Sequence, residues 1–225
     1  VSGAAIFTNA LLADEINRAP AKTQSALLEV MQEYQVTLEG QTLPLPKPFM
    51  VLATQNPLET EGTYPLPEAQ LDRFLLKVLI DYPPADEEVA AVQRVTTNQT
   101  GDQLSLDGVK PCLSERAVLT LQQLAARQRV DEKVIEYAVA IVRATREWPG
   151  LAIGAGSRGA IALVRTARAI ALMDGRDYVT PDDIKRIALP ALRHRVGLSP
   201  DALMEGRKES DVLAAVVDSV AAPRV

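Results

Sequence analysis

Two adjacent carboxylates close the apolar run in "LLADEINRAP", residues 11 to 20, where Asp14 and Glu15 follow Leu11, Leu12 and Ala13. Two such acids at a strand's end can divide labour. One faces a metal ion through its water shell and the next points at an attacking water. Neighbouring strand residues point to opposite sides, so the two cannot share one role. An apolar strand ending in Asp-Glu is a Walker B pattern, with Asp14 as the magnesium residue and Glu15 as the base that orients water. The plainer reading of the pair is a solvated strand terminus. Asn56, in "ATQNP", ends a second apolar run and suits a hydrogen bond to a terminal phosphate or to the water that attacks it. Arg73, in "LPEAQLDRF", precedes a third apolar run. An arginine at a subunit edge can reach a neighbour's phosphate, which is worth upwards of ~4 kcal/mol of transition-state stabilisation. A local pair of Arg73 with Asp72 or Glu68 would contribute under ~1 kcal/mol if exposed. Arg158, in "GAGSRGA", falls in the first turn of a helix after a glycine segment, where the helix dipole disfavours a cation. That placement calls for an anion to meet it.

These residues need elements to hold them. Ala10 to Ala13 reads as a buried strand, and Pro20 suits the first position of a helix along which Leu27, Leu28, Met31 and Tyr34 recur at helical spacing. "QVTLEGQTLPL" predicts a hairpin turning at Glu39-Gly40, with Pro44 confining its second arm to an edge. The continuous apolar run from Phe49 to Ala53, broken by Pro57, reads as a fully buried parallel strand, and Phe74 to Ile80 as a third strand. Three strands with helical or long connections predict an α/β sheet, whose ligands sit beyond the carboxyl ends of the strands. Asp14, Glu15 and Asn56 fall there. Organisation changes near Tyr82-Pro83-Pro84, after which helices are predicted over Asp86–Thr97, Ser114–Arg127, Asp131–Glu147, Ser157–Met173 and Pro181–His194. Gly175 reads as the stop of the fourth. Thr180-Pro181-Asp182-Asp183 combines a capping hydroxyl, proline at the first position and acids in the first turn.

Composition bounds the rest. The 225 residues suggest one or two domains, and 47% hydrophobic residues with only 4% aromatic predict an aliphatic, largely helical core. With 24 basic and 29 acidic residues the net charge is −5, which supplies no global field for nucleic acid or an anionic membrane. No apolar run has the ~20 residues of a membrane span. The single cysteine, Cys112, excludes an internal disulfide framework, is expected in the core and fits a reducing, cytoplasmic setting. His194, in "RHR", is expected to act as a cation complementing a helix end. Arg165 and Arg168 continue the helix of Arg158 as a solvated basic face, Trp148 is a packing residue, and the glycosylation-like triplet Asn98-Gln99-Thr100 carries no meaning in a cytoplasmic chain.

"LLADEINRAPAKTQSALLEVMQE", "VLATQNPLETEGTYPLPEAQLDRF" and "GSRGAIALVRTARAIAL" together resemble the MoxR family of AAA+ ATPases, and the resemblance runs almost from end to end. It implies an α/β fold: part of an AAA+ P-loop NTPase core, with a parallel sheet, helices and a hairpin insert from Val36 to Leu45, followed by an all-helical lid subdomain. Residues 1–83 would form the C-terminal portion of the core and residues 84–225 the connecting helix and lid. The resemblance implies Walker B at Asp14 and Glu15, sensor 1 at Asn56, the arginine finger at Arg73 and sensor 2 at Arg158. It further implies ATP and Mg2+ as cofactors, a ring that is usually a hexamer, and a chaperone-like ATPase that remodels or matures partners, often proteins with von Willebrand factor A domains.

One departure from the pattern matters. A phosphate-binding loop needs Gly-x-x-x-x-Gly-Lys followed by Ser or Thr, and no Gly-Lys pair occurs in this sequence. The chain also begins at Val1 rather than Met. The expectation is that an amino-terminal segment carrying the loop belongs to the intact protein, and that this chain alone is inactive. Two other functions compete: a nucleotide-free scaffold that keeps the sheet as an interaction surface, and a DNA motor using the hairpin. The acid at the hairpin tip, Glu39, argues against the motor.

Overall fold

From its amino end the chain runs β1 (Ala10–Ala13), one 3-10 turn (Ile16–Arg18), α1 (Ala21–Glu33), β2 (Gln35–Leu38), β3 (Gln41–Pro44), β4 (Met50–Ala53) and α2 (Glu68–Leu71). It continues through α3 (Ala85–Thr96), α4 (Glu115–Arg127), α5 (Glu132–Glu147), β5 (Leu151–Ile153), α6 (Ser157–Met173), α7 (Pro181–Leu192), β6 (Gly197–Leu198), α8 (Pro200–Met204) and α9 (Glu209–Ser219). This computed structural model describes residues 6–38, 40–56, 62–97 and 108–224. Val1–Lys77 and Glu115–Val225 form one compact unit, and Val78–Ser114, which carries α3, forms another. Among the described residues no helix is long and apolar enough to cross a membrane. The fold is mixed α/β with a helical carboxyl half, as the sequence predicts.

β1 and β4 pair in parallel, with Ala10 opposite Met50 and Ala13 opposite Ala53. β2 and β3 form the antiparallel hairpin, Gln35 opposite Pro44 and Leu38 opposite Gln41. The tip residue Glu39, like Pro57 and the triplet at positions 98–100, lies outside the described residues. α1 covers one face of the parallel pair. Leu27 and Met31 pack with Leu11, Ala13, Val51 and Ala53, and Ile16, Leu66 and Phe74 complete this small core.

Burial of the strands departs from expectation. Leu12, Met50 and Leu52 are 52 to 63% exposed, because among the described residues the packing helix lies on one face of the pair only. Alternation, rather than full burial, is the result.

The helical half is built on a larger core from α5, α6, α7 and α9, in which Val134, Ile141, Leu163, Ile184, Leu192 and Leu213 are fully buried. α5 starts on Asp131, whose carboxylate accepts the Lys133 backbone N–H at 2.9 Å. α7 starts as the sequence predicts. The Thr180 hydroxyl accepts the Asp183 N–H, and the Asp183 carboxylate accepts the Thr180 N–H at 2.8 Å. Arg176 closes the arrangement with two bonds to Asp183, Nη1 to Oδ2 at 2.8 Å and Nη2 to Oδ1 at 2.7 Å. Burial alone would raise the Asp183 pKa, but the hydrogen bonds from Arg176 and Thr180 outweigh it and hold the carboxyl below its ordinary value.

Two further expectations fail. Phe74 to Ile80 forms no strand. Phe74 packs into the small core and Leu76 against the helical one, while the backbone between them is held by groups from the end of α7 instead of by a sheet neighbour. Cys112 is exposed rather than in the core; it lies in an irregular stretch with Val109 and Leu113, which are also exposed.

The Asp183 cap of α7 makes a prediction. Asp183→Ala should cost about 1–3 kcal/mol of unfolding free energy, since it removes the buried carboxylate that caps the helix and one of the two acid partners of Arg176, which keeps Asp174 at 3.0 Å. Asp182→Ala, at an exposed position of the same turn, should cost under ~1 kcal/mol. Urea midpoints of the two variants check this.

Candidate functional site

The parallel register sets the acids beside a threonine. Because Ala13 lies opposite Ala53, the next residues, Asp14 and Thr54, leave the strands side by side. The Thr54 N–H donates to Ala13 O at 3.0 Å, and Thr54 O accepts the Ile16 N–H at 3.0 Å. The Thr54 hydroxyl donates to Asp14 Oδ1 and accepts the Glu15 N–H at 2.9 Å. One hydroxyl therefore fixes a side chain of the pair and the backbone of the other.

Glu15 has left the strand. Its φ of 47° is in the left-handed region, which turns the chain into the 3-10 segment and sends the carboxylate towards Arg18 Nε at 3.0 Å. The two acids do diverge, but by this turn and not by strand alternation. Buried Gln24 of α1 holds the turn from beneath: its Nε2 donates to Ile16 O at 3.1 Å and to Tyr64 O at 2.9 Å. Asn56 is half-buried in the loop that leaves β4, at the same carboxyl end as the acids.

The arginines form a second group. Arg158 sits in the first turn of α6, where its Nη1 lies 3.5 Å from Asp72 Oδ2. The anion that this position calls for is thus supplied by the chain itself, in a half-exposed, solvent-screened pair. Two glycines set the start of α6. A Cβ on Gly154 would come within 2.5 Å of Arg146 Cα, and one on Gly159 within 2.9 Å of Leu192 Cδ2. Asp72 is taken up by Arg158 and Arg195, and not by Arg73. Arg73 lines a cleft against α1 with Ser25, Glu29, Gln32, Glu33 and Gln70.

Arg195 was not singled out by sequence, yet its side chain is only 3% exposed. It donates to Asp72 Oδ1 at 2.9 Å, Asp72 O at 3.1 Å, Phe74 O at 2.7 Å and Leu75 O at 3.2 Å, and also to Ala191 O. The neighbouring His194 places Nε2 at 2.9 Å from Phe74 O. His194 is not the cation expected of it. Burial, then the adjacent Arg195 charge, push its pKa down to about 4, so the ring is neutral at pH 7. The last turn of α7 is instead met by arginines, Arg195 on Ala191 O and Arg193 Nε on Leu189 O at 3.2 Å.

The donor set at the acids fits part of a magnesium nucleotide. A single carboxylate, with one oxygen tied to a hydroxyl and the other not so tied, suits a Mg2+ ion that keeps most of its waters. Among the described residues no cluster of three or more His, Cys, Asp or Glu side chains forms a protein cage for a metal. The glycine-lysine cradle for phosphates is not encoded in these 225 residues.

Two family models match the chain. Residues 1–76 match the ATPase family associated with various cellular activities (AAA), and residues 143–216 match the AAA lid domain. The chain is 44% identical to the uncharacterized protein YeaC of Bacillus subtilis, covering 97% of this chain and 67% of that one. It is 45% identical to the chaperone MoxR1 of Mycobacterium tuberculosis, covering 98% of this chain and 59% of that one. A solved structure from Cytophaga hutchinsonii, assigned as an ATPase, superposes with a TM-score of 0.88 at 41% identity, over 97% of this chain and 68% of that chain. The chain belongs to the MoxR family of AAA+ ATPases. It spans 59 to 68% of the length of these three relatives.

Two measurements test the site's construction. Thr54→Val should loosen Asp14 and the Glu15 turn and weaken any Mg2+-dependent turnover of the complete gene product by ~10-fold or more, while Thr54→Ser should retain most of it. A Mg2+ titration of the rate checks this. For His194, the folded pKa lies below the unfolded value of about 6.5, so its contribution to stability is complete above that pH and shrinks as pH falls towards 4. Between pH 7 and pH 5 it should remove about 2 kcal/mol, a loss that His194→Gln should diminish in urea melts at the two pH values.

Proposed function

We propose that the intact protein is a cytoplasmic ATPase that hydrolyses ATP at the seams of a homo-oligomeric ring, a hexamer, to remodel or mature partner proteins in a chaperone-like manner. The chaperone reading draws on the name of MoxR1, and proteins with von Willebrand factor A domains are the client class that follows from the family resemblance. Residues 1–83 are then the C-terminal portion of the AAA+ core, and residues 84–225 the connecting helix and lid. The observation that carries the reading is the acid pair at the carboxyl end of two parallel strands, fixed by one threonine hydroxyl.

Magnesium-bound ATP, when present, supplies the phosphoryl group and an electrophilic phosphorus. Asp14 would hold the ion, whose charge would help to neutralise the phosphates. Glu15 takes the proton of the attacking water, after giving up an exposed pair with Arg18 that is worth under ~1 kcal/mol. Asn56 orients that water or the terminal phosphate. Arg73 offers a cation to a neighbour's phosphate, and Arg158 exchanges Asp72 for phosphate oxygen.

In the complete gene product, Glu15→Gln should retain nucleotide binding and lose hydrolysis by ~1,000-fold or more, and Arg73→Ala subunits should depress the turnover of wild-type subunits in mixed assemblies. Steady-state hydrolysis with native mass spectrometry checks both. Wild-type turnover in both variants would overturn the proposal.

A further inference from the structure

We propose that Arg195 is a positioning residue for the two candidate phosphate-facing arginines: its buried guanidinium clamps the backbone on both sides of Arg73 and grips the carboxylate that holds Arg158. The inference rests on the reading of Arg73 and Arg158 given above and assigns their placement to a third residue.

The contacts are distributed in a particular way. Arg195 binds Asp72 O before Arg73, then Phe74 O and Leu75 O after it, so the finger residue is bracketed in the chain by clamped carbonyls. Its Nε takes Asp72 Oδ1 at 2.9 Å, leaving Oδ2 for Arg158 at 3.5 Å. Asp72 is therefore shared by two arginines, one buried and one half-exposed. The clamp is anchored in the helical half: Arg195 also donates to Ala191 O, and the Lys77 N–H donates to Pro190 O at 2.8 Å, one residue beyond Leu76, which packs on the helical core. A displacement of the end of α7 must drag Asp72 and the backbone that carries Arg73, and it moves the carboxylate on which the Arg158 side chain rests.

Arginine is required by the donor count. Five acceptor atoms converge on one planar group, namely one carboxylate oxygen and four carbonyls. A lysine has three donors on one nitrogen and cannot reach acceptors spread along two segments. Loss of the fork leaves buried carbonyls unpaired and frees the finger segment. Misplacing a catalytic group by about 1 Å can cost ~100-fold in rate.

The test uses the complete gene product with Arg195→Lys, and Asp72→Asn as a milder second variant that keeps the side-chain shape. Hydrogen exchange is expected to accelerate by ~10-fold or more in residues 73–77, while residues 162–171 of α6 stay protected in both variants. kcat should fall by ~10-fold to ~100-fold, and the ATP dissociation constant should change by much less, since Arg158 keeps its place on α6. Unchanged exchange at 73–77 overturns the clamp. Faster exchange with unchanged kcat overturns the positioning role and leaves a purely structural one. Parallel loss of ATP affinity and of protection in α6 also overturns it, by showing general unfolding. Wild-type turnover of Glu15→Gln in the same preparations overturns the hydrolysis reading itself, and that result is separable because it leaves the exchange pattern of Arg195→Lys as it was.

Discussion

A guanidinium cannot be taken out of water without partners, and the burial of Arg195 organises much of this molecule. Desolvation of an ion costs several kcal/mol unless its donors are matched. Here the match is made by Asp72 and four backbone carbonyls from residues 72–75 and 191. Once those carbonyls face Arg195 they cannot also join a β-ladder. The segment after α2 therefore lies along the end of α7, with Phe74 in one core and Leu76 in the other. His194 is kept neutral first by its own burial and then by the cation beside it. One buried charge decides the path of a chain segment and the mooring of the α/β part on the helical part, and adds to what keeps a neighbour neutral.

The acids are placed by a different device. Asp14 and Glu15 depend on backbone register, since the Ala13–Ala53 pairing determines which residue emerges beside which. Thr54 extends that ladder by one residue on each side and adds two hydroxyl bonds. A one-residue slip would move every side chain of the strand to the other face, and the covered face of this pair forbids it. Gln24 then fixes the turn beyond.

What was legible in the sequence follows periodicity and local chemistry. The β1 and β4 strands, the hairpin, α1 and α3 to α7 could be read because their signals lie within a few residues, such as the Asp-Glu stop, the paired arms around Gly40 and the Thr180 capping box. In contrast, α2, α8, α9 and the β5–β6 pair were not read. Asp14, Glu15 and Asn56 were placed at one end of a sheet by the rule for parallel strands, and the structure puts them at the carboxyl ends of β1 and β4. Signals that depend on distant residues could not be read. Phe74 to Ile80 has the composition of a strand, but strand formation needs a neighbour with free backbone groups, and Arg195 lies 121 positions from Phe74. His194 was assigned by its neighbours in sequence, whereas its charge is determined by burial. The expectation for Cys112 rests on the average behaviour of its residue type. Thr54 could have been found by aligning the two strand ends, since the residue after Ala53 must meet the residue after Ala13.

The two modes of placement differ in how easily they yield. Register is held by a row of backbone bonds and shifts only in whole residues, so the acids have one position. The arginines hang on a shared carboxylate whose two bonds are unequal. The Asp72–Arg195 bond is short and nearly dry, while the Asp72–Arg158 pair is longer and half-exposed, worth under ~1 kcal/mol. An incoming anion can therefore take Arg158 from Asp72 at little cost and leave Asp72 on Arg195, so that the clamp persists while its outer arginine changes partner. The exchangeable contact of Asp72 thus goes to the half-exposed arginine and the permanent one to the buried arginine.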